Sequence, residues 1–491
     1  MDTMTSCNTS SLASYVPSPS NPWDAEKAKH VFGRLGFGGS KTELDSALAQ
    51  TPSDFIDGIM DVALSAPLFT EPSWASWSYN DYINAGLDFD EETQNNHNVM
   101  RLEAFNEFFN QGFRGKMVMF WSSHFVTELN QYYCSNFLYK YYNMLQRNAL
   151  GNFQDFVREV GLNEAMLIYL NGFENGLYGL NENYARELYE LFTLGENNGY
   201  TQEDIVETSK ALTGYNHWTD SYCSNIYFIE PGQPNSTFIN GDKTIFGQTG
   251  NWRYDDVIDI LFEEKAPLIA NFICEKLYTF FVSPNINESI VSEMASSFQV
   301  DWNIENLLRT LLKSEHFFDE KSLGSQIKSP FELIIQYIKT GGFTIDEEQK
   351  MISFYFTDVI GQRFFDPPNV AGWQGDHSWI NSSTLTGRWQ IIEYFVWHTW
   401  NNHREEFRTL AIESSNNSND PNVVAKSIID RFVPKELHTD SDYVNATDVF
   451  KANIPQNYFD EGQWDLYWDQ VPYQVALLLL HLAKMPELQI N

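Results

Sequence analysis

Apolar positions recur at helical spacing along most of this chain, and the interruptions are few and local. From Asp24, "DAEKAKHVFGRLGFGGS" reads as a helix stopped by Gly36, Gly38 and Gly39. A phosphate-cradling loop needs its glycines after a strand, so no dinucleotide site is expected there. "SKTELDSALAQ" and "TPSDFIDGIMDVALS" set Ser or Thr before acidic first turns, the mark of short capped helices. In the aromatic-dense stretch 98–150, Met117, Phe120, Trp121 and His124 share one face at i, i+3, i+4 and i+7. The helical period continues through "NFQDFVREVGLNEAMLIYL", returns at "YDDVIDILFEEKAPLIANFICEKLYTFFV" and runs on through "SPFELIIQYIKTGG" and "TLTGRWQIIEYFVWHTW".

Two segments break the period. Between Gly214 and Gly250, "NIYFIEPGQPNSTFINGDKTIFG" is strand-like, and Asn240-Gly241 is a hairpin turn signal. From Asp366 to Ser383, "DPPNVAGWQGDHSWINSS" is a Pro/Gly-rich loop. No repeat of fixed period is present. The pattern predicts a mainly α fold: a large multi-helix single domain over residues 23–491 with a short β-hairpin insertion. Residues 1–22, rich in Ser, Pro and Asn, read as a flexible N-terminal segment.

One helix needs a closer reading. In "NENYARELYELFTLGENNGY", residues 182–192 turn by about 100° per residue. Glu182, Asn183, Arg186, Glu187 and Glu190 fill one arc, and Tyr184, Leu188, Tyr189, Leu191 and Phe192 lie in the other. Glu182, Arg186 and Glu190 stand at i, i+4 and i+8, the spacing of a surface salt-bridge ladder. Gly195 fits the stop position, Thr201 with Asp204 forms an acidic variant of the capping box, and Gly214 ends the next helix. The two helices form a helical hairpin.

Charge and composition narrow the function classes. Against 31 Lys and Arg stand 66 Asp and Glu, a net charge of -35. Nucleic acid backbones and anionic membrane surfaces would be repelled, so neither is an expected partner. No apolar run reaches the roughly 18 to 20 residues of a membrane span. "VALLLLHLAKM" reads as a buried helix, and "MDTMTSCNTSSLASYVPSPSNPW" has neither the basic region nor the apolar core of a secretory leader. Cys7, Cys134, Cys223 and Cys274 form no CxxC pair, and a single bridge such as Cys223 to Cys274 is compatible with their placing. HExxH, GxSxG, a Walker loop and paired ExxH motifs are all missing. No metal site is expected, and no cofactor is indicated.

"NENYARELYELFTLG" followed by "YTQEDIVETSKALTGY" closely resembles the signature of the bacterial domain-of-unknown-function 1800 family. "AKHVFGRLGFGGS", "MFWSSHF" and "RFFDPPNVAGWQGDHSWINSSTLTGRW" resemble its other motifs in order and spacing. The resemblance covers the chain from about Pro22. It implies a helical bacterial protein of a kind that is often exported, whose biochemical activity is not established. Members are often encoded beside relatives of sulfatases and alkaline phosphatases, which implies a sulfatase-like partner. One departure stands out: Phe238 and Ile239 occupy the place of a His-Asp pair ahead of Gly241, Lys243 and Thr244. No metal role is therefore expected of the hairpin.

The motifs name candidate residues, each with a plainer structural alternative. Glu187 or His124 is the candidate acid/base and Arg186 the candidate holder of an anionic group; the alternative is a buried structural network. His124 stands on an apolar face, where a hydrogen-bonded core histidine is the alternative, and Glu128 at i+4 is placed to orient it. Asn181, Asn183, the loop residue His217, Trp373 and Trp379 are candidate binding residues, the two tryptophans as platforms for a sugar or another polymer. Asp376 and His377 are the titratable groups between those tryptophans. Two functions follow. One is an extracytoplasmic hydrolase or lyase acting on a polymer such as a glycan; the other is a non-catalytic binding or assembly protein working with the sulfatase-like partner. Convergence of Arg186, Glu187, His124 and the Trp373 loop on one open cleft would favour the first; dispersal would favour the second.

Overall fold

The computed structural model describes residues 10–216, 221–452 and 454–491. The architecture is mainly helical, with two small two-stranded antiparallel sheets. Local chemistry sets many helix starts. The side chains of Asp24, Ser40, Thr51, Thr201, Ser329 and Thr439 each accept a backbone N–H of the first turn. The Thr201–Asp204 and Ser329–Glu332 pairs are reciprocal capping boxes.

The apolar core lies in two parts. One gathers buried residues from Tyr15 to Phe365, and the other gathers residues from Leu333 to Leu488. Helix Pro330–Gly341 serves both, with Phe331 and Ile335 on the first side and Leu333, Ile334, Tyr337 and Ile338 on the second. "VALLLLHLAKM" falls in the largely buried helix Val471–Leu482.

Four expectations are corrected. Residues 10–22 are tied down: Ser14 bridges to Ser314, Tyr15 N–H donates to the Lys313 carbonyl at 2.8 Å, and the Tyr15 ring is buried against Phe318. Backbone pairing and one aromatic anchor override the polar composition. Second, the insertion holds two ladders, Tyr215–Asn216 with Tyr227–Phe228 and Lys243–Ile245 with Gln248–Gly250. The second turns at Phe246-Gly247, both with positive φ, rather than at Asn240-Gly241, which precedes it. Third, the bridge is Cys134–Cys223, while Cys274 is free, buried on the core face of helix Tyr254–Phe281. The chain before helix Ser135–Asn148 meets the loop of Cys223, whose carbonyl accepts from Asn136 Nδ2. Fourth, the helix of residues 182–192 is regular only over Asn183–Glu187. It widens to a π-turn over Leu188–Thr193, where the Leu194 and Gly195 N–H groups both donate to the Tyr189 carbonyl. Cys7 and His217 lie outside the described residues.

Candidate ligand cleft

Helix Phe113–His124 is buried on every side, with Ser123 its one partly exposed residue. Two of its charges are neutralised within the fold: Arg114 pairs with Glu107, and Lys116 pairs with Glu332. The Pro/Gly-rich loop lies across the end of this helix. Gly372 has φ +76°, and a Cβ there would stand 2.1 Å from the Ser123 carbonyl oxygen. The next N–H, of Trp373, donates to Ser123 Oγ at 3.1 Å. The Trp373 ring stacks on Phe364 at 6.2 Å. Further on, Asp376 Oδ1 accepts the Ile327 N–H at 3.0 Å and Trp379 is buried. The loop is thus pinned at both ends of its aromatic pair.

Between this loop, helix Phe113–His124 and helix Tyr254–Phe281 lies a cleft of about 340 Å³. Phe120, Phe280, Trp373 and Trp379 form its apolar walls; Ser123, Gln326, Gln362 and Lys276 contribute polar groups. This mixture of aromatic wall and a few polar groups is the ordinary make-up of a small-molecule site.

His124 lies in the wall of this cleft. Its Nε2–H donates to the Phe192 carbonyl at 3.0 Å, which fixes the tautomer, and Nδ1 is buried with no partner among the described residues. Burial first, and the Lys276 ammonium second, hold its pKa well below the ordinary histidine value. The ring is therefore neutral, with an acceptor lone pair at Nδ1. The core-histidine alternative describes its Nε2 side. Glu128 does not orient it: the helix ends at His124, and Glu128 Oε1 instead accepts from the Tyr169 hydroxyl at 2.8 Å.

The other candidates lie elsewhere. Arg186 holds Glu182 at 3.0 Å, Glu190 at 3.3 Å and Gln202 Oε1 at 3.1 Å, which is the surface ladder its spacing predicts. Glu187 is half-buried, and burial, then the neighbouring Glu190 carboxylate, raises its pKa. Asn181 braces the chain locally. Its N–H donates to Asn175 Oδ1, and its own Oδ1 accepts the N–H of Asn183, which is exposed. None of these four lines the cleft. The fold gathers His124, Trp373 and Trp379 and leaves Arg186, Glu187, Asn181 and Asn183 apart.

Lys276 is not among the sequence candidates. It belongs to a half-buried stripe, Leu268, Phe272, Lys276 and Phe280, at successive i+4 positions of one helix. A lone cation in an aromatic stripe is the signal that marks it. Among the described residues, no three His, Cys, Asp or Glu side chains come together as a metal site, and no helix is long and apolar enough to cross a membrane.

A family model described as "Protein of unknown function (DUF1800)" matches residues 30–490. No curated protein and no solved structure matches the chain.

Proposed function

The chain belongs to the DUF1800 family, and for this member we propose an extracytoplasmic saccharide-binding protein whose site is the Trp373 cleft. The observation that carries this reading is the meeting of His124, Trp373 and Trp379, from distant parts of the sequence, in the walls of one open cleft. Two buried atoms of that wall have no partner among the described residues: the Trp373 Nε1–H donor and the His124 Nδ1 acceptor. A hydroxyl both accepts and donates, so a polyhydroxy ligand, with a small rearrangement of the wall, answers both. The aromatic walls offer apolar area to ring faces, and Gln326 and Gln374 add amide groups.

Binding is favoured over glycoside hydrolysis by the state of the carboxylates in the cleft. Hydrolysis needs a carboxylic acid with a raised pKa and a second free carboxylate. Glu332 is taken by Lys116 and by the Ser329 N–H; burial pushes its carboxyl up, and the Lys116 charge outweighs this and brings it down. Asp376 holds the Ile327 N–H and contacts His377, and Glu275 accepts from Asn271. A lyase needs a positioned base instead, and the His124 ring, whose pKa burial holds well below the ordinary histidine value, is poorly suited to that role, so binding without catalysis is the reading the cleft supports best. The Cys134–Cys223 bridge supports an oxidising, extracytoplasmic location. A sulfatase-like protein, the partner that the family resemblance implies, would then share the glycan rather than complete the site.

The test is a saccharide array probed with the purified chain, followed by calorimetry on the oligosaccharides retained. Trp373→Ala is expected to abolish retention while the helical circular dichroism is kept. An array without a retained saccharide, or retention indifferent to Trp373→Ala, rejects the reading.

A further inference from the structure

The cleft holds a cation that the charge pairing of the molecule leaves out. The chain carries -35 overall, with 66 acidic residues available to neutralise 31 basic ones. Most surface cations have found carboxylates; Arg186, Arg253, Arg309 and Lys426 are examples. Lys276 has not. Its ammonium lies over the Phe272 ring at 4.8 Å, lines the cleft, and has no carboxylate or hydrogen-bond acceptor among the described residues. Asn271 Nδ2 donates to the neighbouring carboxylate, Glu275. Burial alone lowers the Lys276 pKa to about 8, and no compensating negative charge opposes it.

Behind the same wall, further buried cations rest on neutral groups. Lys328 donates to the Leu488 carbonyl at 2.7 Å. Arg388 donates to Gln489 Oε1 at 2.7 Å and to the Lys328 carbonyl at 2.8 Å, and its Nη1 has no partner among the described residues. The buried carboxylate they share, Glu332, is already paired with Lys116. A buried cation without a counter-ion is costly, and the cost is recovered when an anion arrives.

Resting on the assignment of the Trp373 cleft as a saccharide site, we propose that its ligand is an acidic saccharide, whose carboxylate or sulfate pairs with the Lys276 ammonium. The ring faces meet the aromatic wall while the anionic substituent reaches the helix Tyr254–Phe281 side.

The experiment compares three trisaccharides by calorimetry: an uronate-bearing one, a sulfated one and a neutral one of the same length. Each is titrated into the wild type, Lys276→Gln, Lys276→Arg and Trp373→Ala. A charge-assisted hydrogen bond predicts that an acidic trisaccharide binds the wild type about tenfold or more tighter than the neutral one. Lys276→Gln removes that preference, while Lys276→Arg keeps it. The uronate and sulfate arms decide which acid the site takes. Equal affinities for acidic and neutral sugars, or a preference that survives Lys276→Gln, overturn the acidic-ligand inference and leave the saccharide site standing. If no trisaccharide binds, the saccharide assignment falls, and thermal melting in sulfate against chloride at matched ionic strength decides the anion. Stabilisation by sulfate that Lys276→Gln abolishes sustains a Lys276 anion site; its absence overturns that too.

Discussion

His124 donates its Nε2–H to the carbonyl of Phe192, 3.0 Å away and 68 residues further along the chain. The acceptor lies in the π-turn Leu188–Thr193, so this bond ties the tryptophan-histidine helix to the irregular end of the Arg186 helix. The link explains two motifs as one structural joint. His124→Phe would fill the same space and leave the Phe192 carbonyl buried without a donor. It is expected to lower stability by about 1–3 kcal/mol, read from urea unfolding at neutral pH. An unchanged midpoint would mean that the carbonyl finds another donor and the joint is not a joint.

The polar face of the Arg186 helix gives a contrasting prediction. Arg186 and Glu182 are each about one-third exposed, at 36% and 34% of their side-chain surface. Screened pairs of this kind contribute only a few tenths of a kcal/mol. Arg186→Gln is therefore expected to shift the thermal midpoint by no more than a degree or so. Glu187→Gln should melt at or above the wild type, because burial and Glu190 already disfavour its charge. A fall of many degrees in either variant would show that this face clamps a buried network instead of meeting solvent.

Much of this is legible in local pattern, because local interactions produce it. The Thr201–Asp204 box, the Gly195 stop and the Glu182–Arg186–Glu190 ladder each depend on residues within eight positions of one another. The cleft depends on contacts that sequence spacing does not encode. Trp373 meets Ser123 across 250 positions, and Gly372 is small because the Ser123 carbonyl leaves no room for a Cβ. The composition of the loop announces aromatic faces, but not which helix they face. The π-turn is equally hidden, since its residues keep helical periodicity while the hydrogen bonds shift by one. Arg186 and Glu187 stand out within a long family motif, yet their surroundings place them on a ladder and a half-buried flank away from the cleft. Lys276 is easily passed over, because a single lysine among 31 basic residues is conspicuous only once its missing partner is seen.

Acid sensitivity follows from the buried histidines, and His97 gives the clearest window. Its Nε2–H donates to the Tyr133 carbonyl at 2.9 Å, and the ring is 3% exposed. Burial, partly offset by that hydrogen bond, lowers its pKa from 6.5 to about 4. Above pH 6.5 the folded and unfolded chains both hold it neutral. Below pH 6.5 the unfolded chain takes up a proton that the folded one refuses, so stability falls with pH until about pH 4. From pH 6.5 to pH 5 this one group costs about 2 kcal/mol. His97→Gln, which keeps a donor and loses the titration, is expected to lose that much less stability between pH 7 and pH 5 in urea titrations. Parallel losses in the two proteins would place the acid sensitivity elsewhere.

The Cys134–Cys223 bridge joins the chain ahead of helix Ser135–Asn148 to the loop that follows the first short strand of the insertion, 89 positions away. A bridge closing so long a loop restricts the unfolded chain far more than the folded one. Its removal from a natural protein commonly costs about 2–5 kcal/mol. The paired variant Cys134→Ser with Cys223→Ser is expected to lose stability in that range, and the reduced wild type to match it. Peptide mapping of non-reduced protein recovered from an oxidising compartment should find the two cysteine peptides joined, with Cys274 alkylated only after unfolding. Because the bridge anchors the insertion and not the cleft, ligand affinity measured below the melting range should survive its removal. Free thiols at both Cys134 and Cys223 in that preparation would take away the support that the bridge lends to an extracytoplasmic location, while leaving the geometry around Trp373 and Lys276 as it stands.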